Sequence, residues 1–363
     1  MIKKIITGLS LIPFFVSGQV QVAPMISGGL ENIMLPKDYK IEVYASGILN
    51  AREMAFAEDG TLFVGSSDAG KVYAIRPDRS VTIIGDNLEM PSGLDYYKGD
   101  LYVAEISRIL KYENILGTMA TSPKPVVING NFPSDKENGL KFIRVGPDGK
   151  LYIPVGAPCN ACIPDSVWHA RIIRMTTDGK ELEYYAEGVR NAGGLDWNPA
   201  TGLLWFTDDG RNDLGDDRPS DELNKSRIYG ENFGFPYIDG KFADNKFWPK
   251  KPKSKLFTLP EFVLPLYVVP LGMRFYTGKM FDKKYQGGIF IAEHGSLNRP
   301  DKTGCRISFI SIKNDRAVDY EVFAAGWLNG DKAWGQPADV QVGPDGSLFI
   351  SDDLKGCVYR IYK

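Results

Sequence analysis

The stretch FIRVGPDGKLYIPV, Phe142 to Val155, decides the fold, because it returns in close copy as DVQVGPDGSLFISDD, Asp339 to Asp353. In both, an alternating apolar segment runs into an Asp-Gly turn and a second apolar segment follows, which is the signal of a β-hairpin. Four looser copies accompany them: MAFAEDGTLFVG from Met54, GLDYYKGDLYVAE from Gly93, GLDWNPATGLLWFTD from Gly194 and MRFYTGKMFDKKYQGGIFIAE from Met273. Six such hairpins point to a radial repeat in which each unit buries its faces against its neighbours. Loops leaving the second strand of a hairpin, and loops entering the first, then open on one common face.

Third and fourth strands are legible in most copies: KVYAIRPD and SVTIIGD after the first, ARIIRMTTD and ELEYYAEG after the third, CRISFISIK and DYEVFAAG after the fifth. The sixth ends at CVYRIYK, one strand short, while YKIEVYASG from Tyr39 stands unassigned before the first. Pairing the two closes the ring and removes an exposed edge. The expected fold is all-β: a six-bladed β-propeller of four-stranded antiparallel blades, residues 35–363, with the N-terminal strand completing the last blade. The fourth repeat is interrupted by a polar segment, Arg211 to Asn224, and by a Lys/Pro/Phe-rich stretch, Asp239 to Pro260. Loops of that length in a compact domain are functional or mobile as a rule.

The composition suits one turn-rich domain: 363 residues, 43% apolar and 24% charged, with 39 Gly and 23 Pro. A net charge of −2 gives no electrostatic case for nucleic acid or an anionic membrane. Lys3 and Lys4 precede an apolar run from Ile5 to Val16, and Val16-Ser17-Gly18 offers small residues for cleavage. Residues 1–18 therefore read as a signal peptide and 19–34 as a lead-in. The expected location is periplasmic or secreted, with no membrane span in the mature chain. Export permits disulfides. Cys159 and Cys162 in PCNAC could close a small loop, with redox chemistry or half a metal site as the alternatives. Cys305 and Cys357 occupy matching repeat positions and could also pair.

Repeat register brings Arg190, Asn191, Asp209, His294 and Arg299 to the loop face around one axial mouth. Guanidinium and amide donors beside carboxylates suit a ligand with several carboxylates, which Arg binds through two parallel hydrogen bonds. Arg190 could instead pair with a neighbouring carboxylate, and His294 could be structural. His169, just before a third strand, reads as structural. The acidic run Asp213 to Asn224 lacks EF-hand spacing and stays open between a solvated loop and one stiffened by calcium.

These stretches resemble the soluble glucose/sorbosone dehydrogenases that use pyrroloquinoline quinone (PQQ), from about Leu35 to the C-terminus. The resemblance is carried by GVRNAGGLDWNPATGLLWFTDDGRNDLGDDRPSDELN (Gly188 to Asn224), VGAPCNAC (Val155 to Cys162), PLGMRFYTG (Pro270 to Gly278), IAEHGSLNR (Ile291 to Arg299) and PADVQVGPDGSLFISDD (Pro337 to Asp353). It implies a six-bladed propeller, in agreement with the repeat count. It implies quinone contacts from Arg190 and Asn191. It also implies a calcium ion on the main-chain carbonyls of Gly210 and Arg211 beside Asp209, and a cavity lined by His294 and Arg299. Calcium, a hard cation with oxygen ligands, would polarise the quinone carbonyl.

Three positions depart from the pattern. The resemblance places a general-base His at Asn138, and asparagine cannot take a proton at neutral pH. Glu137 is the adjacent substitute. Gln336 stands where an Arg facing the cofactor is usual, and Leu297 where a Trp is usual. The leading expectation is a PQQ- and calcium-dependent dehydrogenase of sugars or sugar-derived aldehydes, weakened at the base. The alternatives are a non-catalytic binding propeller and, third, a calcium-dependent lactone hydrolase, which would need Glu, Asn and Asp side chains along the central channel. Nothing in the sequence identifies the electron acceptor.

Overall fold

The computed structural model describes residues 29–215, 218, 221–254, 256–296, 299 and 301–363. The expected signal segment, most of the lead-in and Leu297 lie outside them. Six antiparallel sheets form the expected blades. Blade one holds Ala51–Phe56, Leu62–Ser66, Val72–Ile75 and Val81–Gly85, and blade two holds Gly93–Tyr97, Asp100–Ala104, Ile109–Tyr112 and Val126–Asn129. Blade three runs through Arg144–Val145, Lys150–Val155, Arg171–Thr176 and Glu183–Glu187, with Glu231–Asn232 added in parallel at its edge. Blade five holds Pro270–Phe275, Ile289–Glu293, Arg306–Lys313 and Arg316–Ala325.

The ring closes as the missing strand requires. Lys40–Ser46 pairs with Cys357–Tyr362, from Lys40 opposite Tyr362 to Ser46 opposite Cys357, and so completes blade six beside Pro337–Val342 and Leu348–Asp352. Tyr39 anchors this strand, its ring 4.9 Å from Phe281 and 5.5 Å from Phe323.

The turns show why the repeat is readable. In the Asp-Gly turns, Asp59, Asp148 and Asp345 each accept the backbone N–H two residues on, at 2.9, 3.1 and 3.0 Å. The following glycines Gly60, Gly149 and Gly346 take φ of 85°, 74° and 87°, a region that costs glycine nothing.

Blade four corrects the reading of its long interruption. The polar segment ends in a strand, Glu222–Ser226, which pairs with Leu204–Asp208 on one side and Phe262–Val263 on the other, beyond the inner strand Gly194–Trp197. All five residues of ELNKS are buried. Their polarity is met by distant partners: Lys225 lies 3.4 Å from Glu261 and 3.1 Å from Asp315.

Inner strands are tied together by carboxylates around the axis. Glu53 accepts from the amides of Leu94 and Ile143 at 2.9 and 3.0 Å, Asp95 from Val145 at 2.8 Å, Asp196 from Phe275 at 2.9 Å and Asp339 from Met54 at 2.8 Å. Each bond links one blade to another, so the axial wall is held by side-chain hydrogen bonds as well as by packing.

Candidate functional site

A cavity of about 290 Å³ opens where the inner strands converge, at the lower edge of the roughly 300–1,000 Å³ usual for small-molecule sites. Every blade contributes to its wall, through Arg52, Ser92, Asn138, Asn191, Leu271 and Ala338 among others.

Asn191 joins this wall to a hydrogen-bonded unit on blade four, whose Arg190, Asp208, Asp209 and Gly210 line a small neighbouring pocket. The amides of Arg190 and Asn191 donate to the two oxygens of Asp208 at 2.9 and 2.6 Å, which fixes the Arg-Asn pair to the end of the second strand. Burial pushes the Asp208 carboxyl up to about 7. The Arg190 guanidinium is almost fully buried. Its Nη1 donates to the Asp209 carbonyl at 2.8 Å and lies 3.3 Å from the Asp209 carboxylate. Nε and Nη2 donate to the carbonyl and side-chain oxygen of Asn160 at 3.0 and 3.1 Å. Asn191 Nδ2 is 3.4 Å from the Asp209 carboxylate. Arg190, Asn191 and Asp209 therefore form one unit, and pairing of Arg190 with a carboxylate is part of that geometry.

The next two residues form a rigid shelf. The Gly210 amide donates to Asp221 at 2.9 Å, and the second Asp221 oxygen accepts from Val269 at 3.1 Å. Burial raises Asp221 to about 8. Arg211 directs its side chain at Asp213 (2.9 Å), Asp239 (3.4 Å) and Asp244. The acidic run divides: Asp213 and Gly215 are exposed, whereas Asp221 to Asn224 are buried. The main-chain carbonyls of Gly210 and Arg211 and the Asp209 carboxylate are oxygen donors, the ligand type that calcium takes.

Across the mouth, His294 Nε2 lies 3.0 and 2.9 Å from the two Asp353 oxygens, and Arg52 Nη1 donates to Asp353 at 2.7 Å. Burial pushes the Asp353 carboxyl up, but His294 and Arg52 outweigh it and hold it at about 2. Gln336 is buried; its amide nitrogen donates to the His294 carbonyl at 3.4 Å. Arg299 lies over the Tyr267 ring at 4.2 Å, and Tyr267 donates its hydroxyl to the Gly215 carbonyl at 2.6 Å. That sets Arg299 at the rim near the 210–215 loop rather than against Arg190.

Asn138 lines the cavity and has φ of 49°. Its amide nitrogen donates to the Ala157 carbonyl at 2.9 Å. Glu137 is exposed and is not part of the cavity wall. Lys141 is: its buried Nζ donates to the carbonyls of Ile106 and Gly139, and burial lowers it to about 8.

Sequence reasoning missed Asn160, Lys141 and the Arg52–Asp353–His294 chain. The axial acids also bear on the hydrolase expectation. Glu53, Asp95, Asp196 and Asp339 do face inward, but they hold backbone amides, with Arg274 3.8 Å from Glu53 and Asp339 and Arg144 3.4 Å from Asp196. Among the described residues no group of three or more acidic, His or Cys side chains is disposed to hold a metal. The Cys159–Cys162 bridge is formed, whereas Cys305 and Cys357 are unpaired and buried, which overturns their pairing. His169 sits 3.1 Å from Asp135, and no helix of the described residues is long and apolar enough to cross a membrane.

Buried carboxyls give the fold a definite pH response. Burial raises both Asp339 and Asp352 to about 6. A raised carboxyl stabilises the fold fully below its unfolded value, near 4, and loses that contribution as pH rises through 6. Each should cost roughly 3 kcal/mol between pH 4 and pH 7. Thermal unfolding of Asp352→Asn should therefore show a flatter decline over this range than the parent protein, and parallel profiles would refute the assignment.

Residues 125–360 match the family described as Glucose / Sorbosone dehydrogenase. An uncharacterized protein of Borreliella burgdorferi is 32% identical over 96% of this chain and 95% of its own. The fold matches the holo form of the pyranose dehydrogenase PQQ domain from Coprinopsis cinerea with TM-score 0.74 at 14% identity, covering 91% of this chain and 97% of that one. A calcium structure of Trichoderma reesei Carbohydrate-Active Enzymes Family AA12 matches with TM-score 0.74 at 17% identity, over 91% and 96% of the two chains.

Proposed function

The chain belongs to the glucose/sorbosone dehydrogenase family, and we propose that it is an exported PQQ- and calcium-dependent dehydrogenase of sugars or sugar-derived aldehydes, slowed by its lack of a base at position 138. The observation that carries this reading is the hydrogen-bonded Arg190–Asn191–Asp209 unit, which reaches through Asn191 into a cavity shared by all six blades. Its donors suit the carboxylates of a polyanionic quinone. Arg190 and Asn191 would hold the cofactor, the carbonyls of Gly210 and Arg211 with Asp209 would hold calcium, and His294, Gln336 and Arg299 would border the same mouth.

PQQ supplies a two-electron acceptor for hydride, and calcium polarises its carbonyl. The chain's own residues orient the substrate beside it. Asn138 can accept a hydrogen bond from the substrate hydroxyl but cannot take the proton, which favours slow chemistry. The same observation supports a second reading, a propeller that binds the ligand without turnover.

Titration of the purified protein with PQQ and calcium, followed by quinone absorbance, tests the proposal. Saturable one-to-one uptake that a calcium chelator weakens is expected, and no saturable uptake would sink it. Gln336→Arg should tighten binding about fivefold to tenfold at low salt by adding a cation beside a tricarboxylate. The gain should shrink at high salt, with little effect on the chemical step, and an unchanged or weaker affinity would count against Gln336 facing the cofactor.

A further inference from the structure

Arg190 is held by a residue enclosed within a disulfide. Cys159 and Cys162 are bridged, and Asn160 lies inside the four-residue ring they close. Asn160 gives Arg190 both of its oxygens, the carbonyl to Nε at 3.0 Å and the side-chain oxygen to Nη2 at 3.1 Å. The same side-chain oxygen accepts the Asn212 amide at 3.0 Å, so one atom ties the guanidinium to the shelf that continues from Gly210. The ring is also bound to the opposite wall. Asn138 donates to the Ala157 carbonyl at 2.9 Å, and the Ala157 amide donates to the Arg190 carbonyl at 2.7 Å. The Arg190 guanidinium thus makes four hydrogen bonds, two to Asn160 and two to Asp209. A guanidinium has five N–H donors, so Asn160 and Asp209 between them decide how the remaining one is presented.

We infer that the Cys159–Cys162 loop, acting through Asn160, positions Arg190 for an anionic ligand, and that reducing this disulfide loosens the site. The inference rests on the reading of the site as a PQQ cradle. Both cysteines are partly exposed and so within reach of a reductant. A water-soluble phosphine attacks one sulfur and breaks the S–S bond; water then supplies the oxygen of the phosphine oxide and the two protons of the thiols, the phosphine giving up two electrons. Asn160 is then no longer confined by a closed ring, and the two hydrogen bonds to Arg190 must be held against the freedom of an open loop.

The test compares PQQ affinity, by absorbance titration with calcium, for oxidised protein, phosphine-reduced protein, Asn160→Asp and Asn160→Leu. Reduction should weaken binding about tenfold, and Asn160→Leu by a similar factor, since a hydrogen bond to a charged group is lost. Asn160→Asp keeps both acceptor oxygens but gives up the amide donor that Asn160 offers Asp213, so its affinity should lie between the parent and Asn160→Leu. Reduction should add little to the Asn160→Leu loss, because the two changes act through one contact. Equal affinity of oxidised and reduced protein, or an Asn160→Asp variant as weak as Asn160→Leu, would overturn the inference. If even the oxidised protein takes up no PQQ, the cofactor reading fails and the positioning role is judged on the ligand-free protein by hydrogen exchange. Reduction should then speed exchange of the Asn212 amide about fivefold, the worth of one hydrogen bond, and unchanged exchange would overturn the role.

Discussion

Asn138→His should speed reduction of the quinone-loaded protein by sugars about 10²- to 10⁴-fold, the usual worth of a general base, with little change in cofactor affinity. The backbone is ready for the substitution. Residue 138 has φ of 49°, a left-handed conformation that His, like Asn, visits more readily than most residues. Asn138 now donates to the Ala157 carbonyl at 2.9 Å. A histidine could give that carbonyl its Nδ1–H, a hydrogen bond that fixes the tautomer and leaves Nε2 as the acceptor. Stopped-flow bleaching of the bound quinone by an aldose checks this. A rate unchanged by the substitution would mean that chemistry is not limited by proton removal at this position.

Arg190→Met should lower PQQ affinity by 100-fold or more and destabilise the ligand-free protein by about 3 kcal/mol. The first effect follows from removing the buried cation that faces a polyanion. The second follows because Asp209, 3.3 Å from Nη1 in a buried ion pair, would remain without its partner, and breaking such a pair costs about 3–5 kcal/mol. Protonation of Asp209, whose carboxyl burial already raises, softens that loss, so the lower figure is expected. Denaturant unfolding and absorbance titration separate the two effects. A variant as stable as the parent that binds PQQ equally well would show Arg190 to be neither anchor nor counter-ion.

The fold was legible where local chemistry dictates it. Tight turns between alternating strands announce six blades, and the unmatched strand at Tyr39 announces closure, which the Lys40–Ser46 pairing fulfils. Glu222–Ser226 was not legible, because a buried strand of polar residues depends on Glu261 and Asp315 for its neutralisation, and no local pattern reveals partners so far along the chain. The site divides in the same way. Arg190, Asn191 and Asp209 follow from repeat register alone. The Arg52–Asp353 pair spans 301 positions and exists only because the first and last blades meet. Asn160 escaped notice because a disulfide ring in a loop carries no periodicity, and its role appears only once Arg190 is seen against it.

The central claim is that this propeller holds the cofactor of its family but lacks the group that takes the substrate proton. Single-turnover bleaching of the reconstituted, unmodified protein by excess aldose tests it most directly. A fully loaded quinone that bleaches slowly, and about 10²-fold or more faster after Asn138→His, is the predicted result. Brisk bleaching by the unmodified protein would contradict the claim, since some other group would then be serving as the base.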